Sequence, residues 1–286
     1  MKHYIGLIGY NCIAALNKLA ILYSSVHVAE DSDVQLHNVL FTQCGTAVVN
    51  GYSGNVLRGE HVTADRLIKF FDGATCSGYL TNSILTAVTN IGTNLSLYYC
   101  TTNSSGAGVY QTVGAAGYYL ADGSTNRNAG TTNLSASLLA SLKQCTTYPP
   151  IVLTNNFTVD TTLSPQAQRD TDIPDLGYHY DPLDYVVSGR TLTNIVTLTN
   201  GVAIGTYGSS SVAGITISTA GNVVSEGAPG MLNQIVRYNT VQEQANTNWS
   251  ASTVGDGIRI TSTSGTQRRA SFIFTAWSLL GNNGVV

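Results

Sequence analysis

Val34-Gln35-Leu36-His37-Asn38-Val39-Leu40-Phe41 is followed, after a short gap, by Thr46-Ala47-Val48-Val49 and the turn signal Asn50-Gly51. The texture then repeats as Asn55-Val56-Leu57-Arg58, Arg66-Leu67-Ile68-Lys69-Phe70-Phe71 and the closing pair Asp72-Gly73. Gly78-Tyr79-Leu80-Thr81-Asn82-Ser83-Ile84-Leu85 and Asn94-Leu95-Ser96-Leu97-Tyr98-Tyr99-Cys100 carry it onward. Short β-branched and aromatic runs between Asn, Asp and Gly clusters read as strands between turns. Leu36, Leu57 and Leu80 supply a rough register, with spacings of 21 and 23. A repeat of about twenty residues suits a coil of three short strands. Such a coil cannot bury its apolar face alone, so coils must stack on one another.

The same texture returns after residue 185. Thr191-Leu192-Thr193, Ile195 to Thr199, Val202 to Tyr207, Ile215 to Ser218 and Asn222 to Ser225 are strand-like, as are Gln234 to Tyr238, Gly257 to Thr261 and Ser271 to Phe274. Strict alternation in Ile195–Thr199 and Ile215–Ser218 turns one face inward and one outward. A β-sandwich would show clearer hairpin signals and longer strands. The middle differs. Asp122 to Gly130 reads as a loop, and Ser135 to Lys143 as one short helix capped by Asn133 or Ser135 and ended by Tyr148-Pro149-Pro150. Thr154 to Asp184 reads as a polar strap or joint. The expected organisation is a first strand-rich segment over 1–121, a connecting segment over 122–184, and a second strand-rich segment over 185–286.

Composition excludes several classes. Charged residues are 10% of the chain, against about 25% in ordinary domains, while apolar residues reach 43%. Charge-driven disorder is therefore excluded, and polarity is carried by Ser, Thr, Asn and Gly. With 13 basic and 16 acidic residues and no basic run beyond Arg268-Arg269, the chain offers no phosphate-neutralising face, so nucleic acid is not an expected partner. No apolar run reaches the length of a membrane helix. Tyr4 to Tyr23 resembles a signal core superficially, but Asn11, Asn17 and Lys18 interrupt it. It reads as a first strand or cap, or as a start inside a longer protein.

Five cysteines (Cys12, Cys44, Cys76, Cys100 and Cys145) include no C-x-x-C pair, which argues against structural zinc. Spacings of 32, 32 and 24 suit cysteines stacked on neighbouring coils. Buried free thiols are the plain expectation; one or two disulfides fit a secreted protein.

The candidate chemistry is sparse. Asp170, Asp172, Asp175 and Asp181, with Asp184 nearby, form an acidic block that could hold calcium, a hard cation that takes several carboxylate and carbonyl oxygens. Their spacing does not match an EF-hand loop; the alternative is a strap whose carboxylates cap turns. Tyr178, His179 and Tyr180 are candidates for carbohydrate contact, with packed strand residues as the alternative. His37 and His61 read as structural. Sixteen tyrosines, against 6 Phe and 2 Trp, include Tyr98, Tyr99, Tyr110, Tyr118 and Tyr119, which could approach one face or pack in the core. No G-x-S-x-G, H-E-x-x-H or P-loop sequence occurs.

Several blocks together carry a family resemblance. They are Tyr118 to Asp122 with Arg127-Asn128-Ala129-Gly130-Thr131, Leu163 to Asp170, Asp175-Leu176-Gly177-Tyr178-His179-Tyr180-Asp181-Pro182 through Tyr185, and Val236 to Gln244. The chain resembles bacterial proteins with right-handed parallel β-helix repeats, of the pectate-lyase-like superfamily. The resemblance implies an all-β fold: a right-handed parallel β-helix solenoid with one short helix and a polar strap in the middle. It also implies export to the extracellular space or cell surface. Superfamily members include polysaccharide lyases, hydrolases, adhesins and phage tailspikes, so the fold leaves the activity open. In lyases of this kind calcium-bound carboxylates accompany an Arg or Lys base, and Arg169 and Arg190 flank the acidic block here. The expected function is a non-catalytic structural, adhesive or carbohydrate-contacting module, with a polysaccharide or surface protein as partner and a longer chain or an assembly as its setting. The alternative is a polysaccharide lyase or glycoside hydrolase with a groove on one solenoid face. No cofactor is expected beyond calcium.

Overall fold

The structure is a computed structural model. It describes residues 3–8, 12–22, 24–29, 32–73, 75–207, 214–218, 221–237, 241–243, 258–260 and 269–278. Asn11, Tyr23, Tyr238–Thr240, Gln244, Gly257, Thr261 and Arg268, all considered above, lie outside the described residues. The described chain is strand-rich, with parallel sheets and one helix. It divides into two compact units built from interleaved stretches. One comprises Met1–Gln111, Tyr118–Thr147 and Arg169–His179; the other comprises Thr112–Gly117, Tyr148–Gln168 and Tyr180–Val286. The stretch 122–184 is thus shared between them.

In the first unit, strand Ser32–Thr42 pairs in parallel with Cys12–Leu22 on one side and Val56–Asp72 on the other. Ser77–Thr81 and Ile84–Asn90 then pair with successive parts of Val56–Asp72. The register corrects the sequence reading by one step. Leu36 pairs with Gly59 and Gly59 with Leu80, whereas Leu57 pairs with Val34 and Gly78. Leu57 and Gly59 are two residues apart and share a face, so the period was legible and the phase was not.

The 17-residue strand Val56–Asp72 is too long to cross a small core straight. Two bends solve this. Asn38, His61 and Asn82 have positive φ of 55°, 54° and 50°. Their neighbours pair as His37↔Glu60 and Glu60↔Thr81, so the three bends lie in one column. Gln43, Arg66 and Ala87 (φ 55°, 56° and 49°) form a second column. A single left-handed residue turns the chain without a loop, and among residues with a side chain asparagine is one of those that tolerate that conformation most readily. The bent strands curl around Val34, Leu36, Phe41, Leu57, Phe70 and Leu80, all fully buried.

The cysteines do not form the expected column, since Cys12 lies opposite Ser32. Cys44, Cys76, Cys100 and Cys145 are free thiols. Cys76 donates to the Tyr52 carbonyl at 2.7 Å, and burial pushes the thiols of Cys76 and Cys100 up from their ordinary range.

The second unit contains three parallel ladders. Ile151–Leu153, Tyr185–Ser188, Ala203–Tyr207, Asn233–Arg237 and Thr275–Ser278 stack in order, with Tyr185↔Ile204↔Ile235↔Trp277 in register. Arg190–Leu192, Ile215–Ile217 and Ile258–Ile260 form the second ladder. The third is Thr161–Leu163, Ile195–Leu198, Asn222–Glu226 and Arg269–Ile273. The expected strap over 154–184 therefore includes one strand, Thr161–Leu163, added to a ladder. Val196, Leu198, Ile215 and Ile217 point inward as their alternation requires. The gap among Leu153, Phe157, Ile204 and Ile235 has a volume of about 10 Å³ and is lined by apolar side chains, so it is core rather than a ligand pocket.

The helix is Ala136–Leu142, with Ser135 as N-cap: its hydroxyl accepts from the Leu138 N–H at 3.2 Å. Among the described residues no helix is long and apolar enough to cross a membrane.

Candidate functional site

Within the first unit the column of bends is a docking rail for the segment Leu176–His179. Each backbone N–H of that segment has its own acceptor. Leu176 donates to the Asn126 carbonyl (2.9 Å), Gly177 to the Asn82 carbonyl (2.8 Å), Tyr178 to Thr63 Oγ1 (2.8 Å) and His179 to Asn38 Oδ1 (2.7 Å). Asn38 Nδ2 returns a bond to the His179 carbonyl at 2.8 Å, so one side-chain amide closes a two-bond ring on the backbone. Asn82 does the same to Thr131: its Oδ1 accepts from Thr131 N–H (2.8 Å) and its Nδ2 donates to Thr131 O (2.9 Å). Gly177 is required where the segment passes closest. Its φ is +81°, and a Cβ there would lie 2.5 Å from Thr63 Oγ1.

The side chains beneath are fully buried. His179 Nδ1 donates to the Gly177 carbonyl at 2.9 Å, because a carbonyl can only accept. Its Nε2 lies 2.7 Å from Asp170 Oδ2, with one further proton between them. Asp170 also accepts from the Asp175 N–H at 2.9 Å. Asp175 accepts from Asn128 N–H (2.7 Å), from Arg127 Nη1 (3.3 Å) and from the Thr147 hydroxyl. The ring of His61 meets that of His179 edge to face, centroids 5.1 Å apart. Burial, and next the electrostatic influence of the neighbouring His179, hold His61 well below the ordinary histidine range.

The acidic block is therefore dispersed. Asp170 and Asp175 are occupied by donors of their own unit, Asp172 and Asp181 are exposed, and Asp184 belongs to the other unit. There its buried carboxylate accepts from the N–H groups of Gln166 (2.7 Å), Ala167 (2.8 Å) and Ala203 (2.7 Å). Among the described residues no group of three or more His, Cys, Asp or Glu could hold a metal ion. Arg127 brings its guanidinium to Asp175 in this block. Arg190 bonds instead to the carbonyls of Ser188 and Thr154. Tyr178, His179 and Tyr180 are buried, and the Tyr180 hydroxyl donates to Glu243 at 2.8 Å.

Two further groups on the first unit were not anticipated. Asp65, buried at mid-strand, accepts from Tyr118 (2.9 Å), Thr86 (2.7 Å) and Arg66 Nε (2.7 Å), and Arg66 Nη2 reaches the Tyr118 hydroxyl at 3.1 Å. Burial pushes the Tyr118 phenol up to about 12, and that of Tyr110 up as well. The signal for this cluster was a single carboxylate inside the apolar run Val62-Thr63-Ala64-Asp65.

The second group lies on an open sheet face. Arg58 and Tyr79 are register partners, and the guanidinium sits 5.5 Å above the Tyr79 ring centroid. Tyr98 stacks on Tyr79 at 6.5 Å with 22° between ring planes. Tyr98 and Tyr99 are 53% and 61% exposed, whereas Tyr118 and Tyr119 are buried. The 21-residue step from Arg58 to Tyr79 is the coil period, so the pairing was available to the sequence reading once the phase was known.

Comparison with protein-family models, with curated proteins and with solved structures finds no match for this chain.

Proposed function

We propose that the chain is an exported, non-catalytic module of the right-handed parallel β-helix type that contacts carbohydrate through the outer face of its first sheet. The three parallel ladders of the second unit, each strand pairing with its counterpart a coil later, support the β-helix reading. The row Arg58, Tyr79, Tyr98 carries the functional one. Exposed tyrosine rings offer apolar faces to sugar rings and hydroxyls to their hydroxyls, and a sheet face holds them at fixed spacing. The buried carboxylates, in contrast, are taken up by internal donors.

Affinity electrophoresis against a panel of soluble neutral and acidic polysaccharides tests this. Retardation by at least one polysaccharide, lost in Tyr98→Ala and Tyr79→Ala, is the expected result. Absence of retardation across the panel refutes it.

The enzyme alternative has its best support in the partly exposed Arg66 beside Asp65 and Tyr118. A phenol pushed up to about 12 keeps its proton at neutral pH, so Tyr118 can serve there as a proton donor and not as a base. Release of reducing or unsaturated ends by the wild type, abolished in Arg66→Ala, would establish the enzyme instead.

A further inference from the structure

His61 occupies the middle of the column of bends, between two asparagines that clamp backbone. Its Nε2 lies 3.0 Å from Asn82 Nδ2. The orientation of the Asn82 amide is fixed by Thr131: its oxygen accepts the Thr131 N–H, so its nitrogen must face His61 as a donor. His61 Nε2 is therefore the acceptor, and the ring proton sits on the buried Nδ1, on the side where the Gly177 backbone favours it.

A second proton has only one place to go. Placed on Nε2, it points at the N–H of Asn82, donor against donor. The amide can accept that proton only by turning over, which reverses both bonds to Thr131. The new charge also lies beside the His179 ring, 5.1 Å away and already bonded to Asp170.

We infer that His61 is an acid-sensing residue of the first unit: one added proton breaks the Asn82 clamp on Thr131 and loosens the segment Asn128–Thr131 together with Leu176–His179. The two segments are joined directly, since Gly130 N–H donates to the Pro174 carbonyl at 2.8 Å and Asn128 N–H to Asp175. Gly177 N–H is held by the carbonyl of Asn82 itself.

The other titratable groups around His61 are engaged. From the docked segment come His179 and, behind it, Asp170. From the covering segment comes Arg127, paired with Asp175. On the strand of His61, Glu60 lies 3.1 Å from His37 and Asp65 is bonded to Arg66. None of them is hydrogen-bonded to His61. Burial, and next His179, depress its proton affinity by more than the Gly177 backbone raises it, so the closed state excludes the proton that an open state would bind.

The sign follows. An open, solvated His61 titrates near about 6.5, while the closed one resists protonation. Closure is unaffected above that pH, and each unit below it favours opening by about tenfold.

Hydrogen exchange of the Thr131 and Gly177 amides, expressed as protection against the intrinsic rate at each pH, reads this directly. Protection should be constant above about pH 7 and fall by about tenfold per unit beneath about 6.5. His61→Asn places in the column a residue that suits positive φ and cannot be protonated, as at Asn38 and Asn82. In that variant protection should stay flat. Should the variant not fold, the ring resonance of His61 in the wild-type chain supplies the second measurement: it should titrate together with the loss of Thr131 protection. The inference is overturned by protection that stays flat in the wild type down to about pH 5, by His61→Asn losing protection over the same range, or by His61 titrating while Thr131 remains protected.

Discussion

Leu80 fills the space that a side chain at Gly59 would need: a Cβ there would lie 2.4 Å from Leu80 Cδ2 and 3.1 Å from Val62 Cγ2. The two residues are register partners, and Leu36 completes the column on the other side of Gly59. A leucine on one strand thus uses the gap left by a glycine on the next. Gly59→Ala forces either Leu80 or the strand to shift, and such overpacking destabilises by about 1–3 kcal/mol. Gly45→Ala, where no heavy atom stands within 4 Å of the added Cβ, is the control. Denaturant midpoints should fall for the first and stay nearly constant for the second.

This column also shows where sequence reading stops. Strand-like runs, parallel stacking and the helix with its Ser135 cap are local properties, carried by alternation, Asn-Gly turns and a hydroxyl before an apolar run. The phase of the stack depends on which of two inward residues, Leu57 or Gly59, meets Leu36, and glycine carries no hydrophobic signal. The candidate site was legible only in part. Asp170, Asp175 and His179 were picked out as polar residues in one block, but the partners Arg127 and Thr147 of Asp175 and Asn38 of His179 are distant in sequence. Nothing local says that an asparagine amide will clamp a backbone segment 141 residues away, as Asn38 does to His179.

Asp184 anchors the second unit by a different device. Asp184 is fully buried and its carboxylate receives three backbone N–H bonds, two from the consecutive residues Gln166 and Ala167 and one from Ala203. Asp184→Ala would remove the acceptor of the Ala203 N–H, which belongs to a buried residue, and an unsatisfied buried donor costs about 1–3 kcal/mol; the N–H groups of Gln166 and Ala167 lie nearer solvent. The variant should lose about 1–3 kcal/mol, read as an earlier unfolding transition. Asp172→Ala, at an exposed carboxylate of the same acidic block, should shift stability by less than about 0.5 kcal/mol.

Tyr98 separates binding from folding. Its ring is more exposed than buried and rests on Tyr79, not in the core. Tyr98→Ala should leave the unfolding midpoint within about 0.5 kcal/mol of wild type while abolishing retardation by the polysaccharide that binds. Tyr98→Phe keeps the ring face and should retain most of the affinity, whereas loss of binding in Tyr98→Phe would assign the contact to the hydroxyl.

Tyr118 gives the first unit an alkaline limit. Its phenol is pushed up to about 12 by burial, with Asp65 adding to the shift. The unfolded chain ionises near about 10. The stabilisation is therefore complete below about pH 10 and is lost as pH rises toward 12. Ultraviolet titration at the phenolate band should show most tyrosines ionising first and a delayed fraction that appears with unfolding. Tyr118→Phe removes the raised group but also a bond to Asp65, so the alkaline transition should become shallower even though stability at neutral pH falls.

The pair Arg127–Asp175 tests whether the covering segment is held by charge. Both side chains are largely buried, and the carboxylate also takes the Thr147 hydroxyl and the Asn128 N–H. Removing the guanidinium in Arg127→Met leaves a buried carboxylate short of its counter-charge, which costs about 3–5 kcal/mol. Asp175→Asn keeps the shape and removes the charge, but exchanges one acceptor oxygen for a donor that faces Arg127 and Thr147. If charge pairing dominates, the double variant should be more stable than the sum of the two single losses implies, with a coupling energy of about 1–3 kcal/mol. If the two losses simply add, Arg127 acts through its bonds to the Leu120 carbonyl and Thr147 instead. Equilibrium denaturation of the four proteins, with wild type closing the cycle, distinguishes the two.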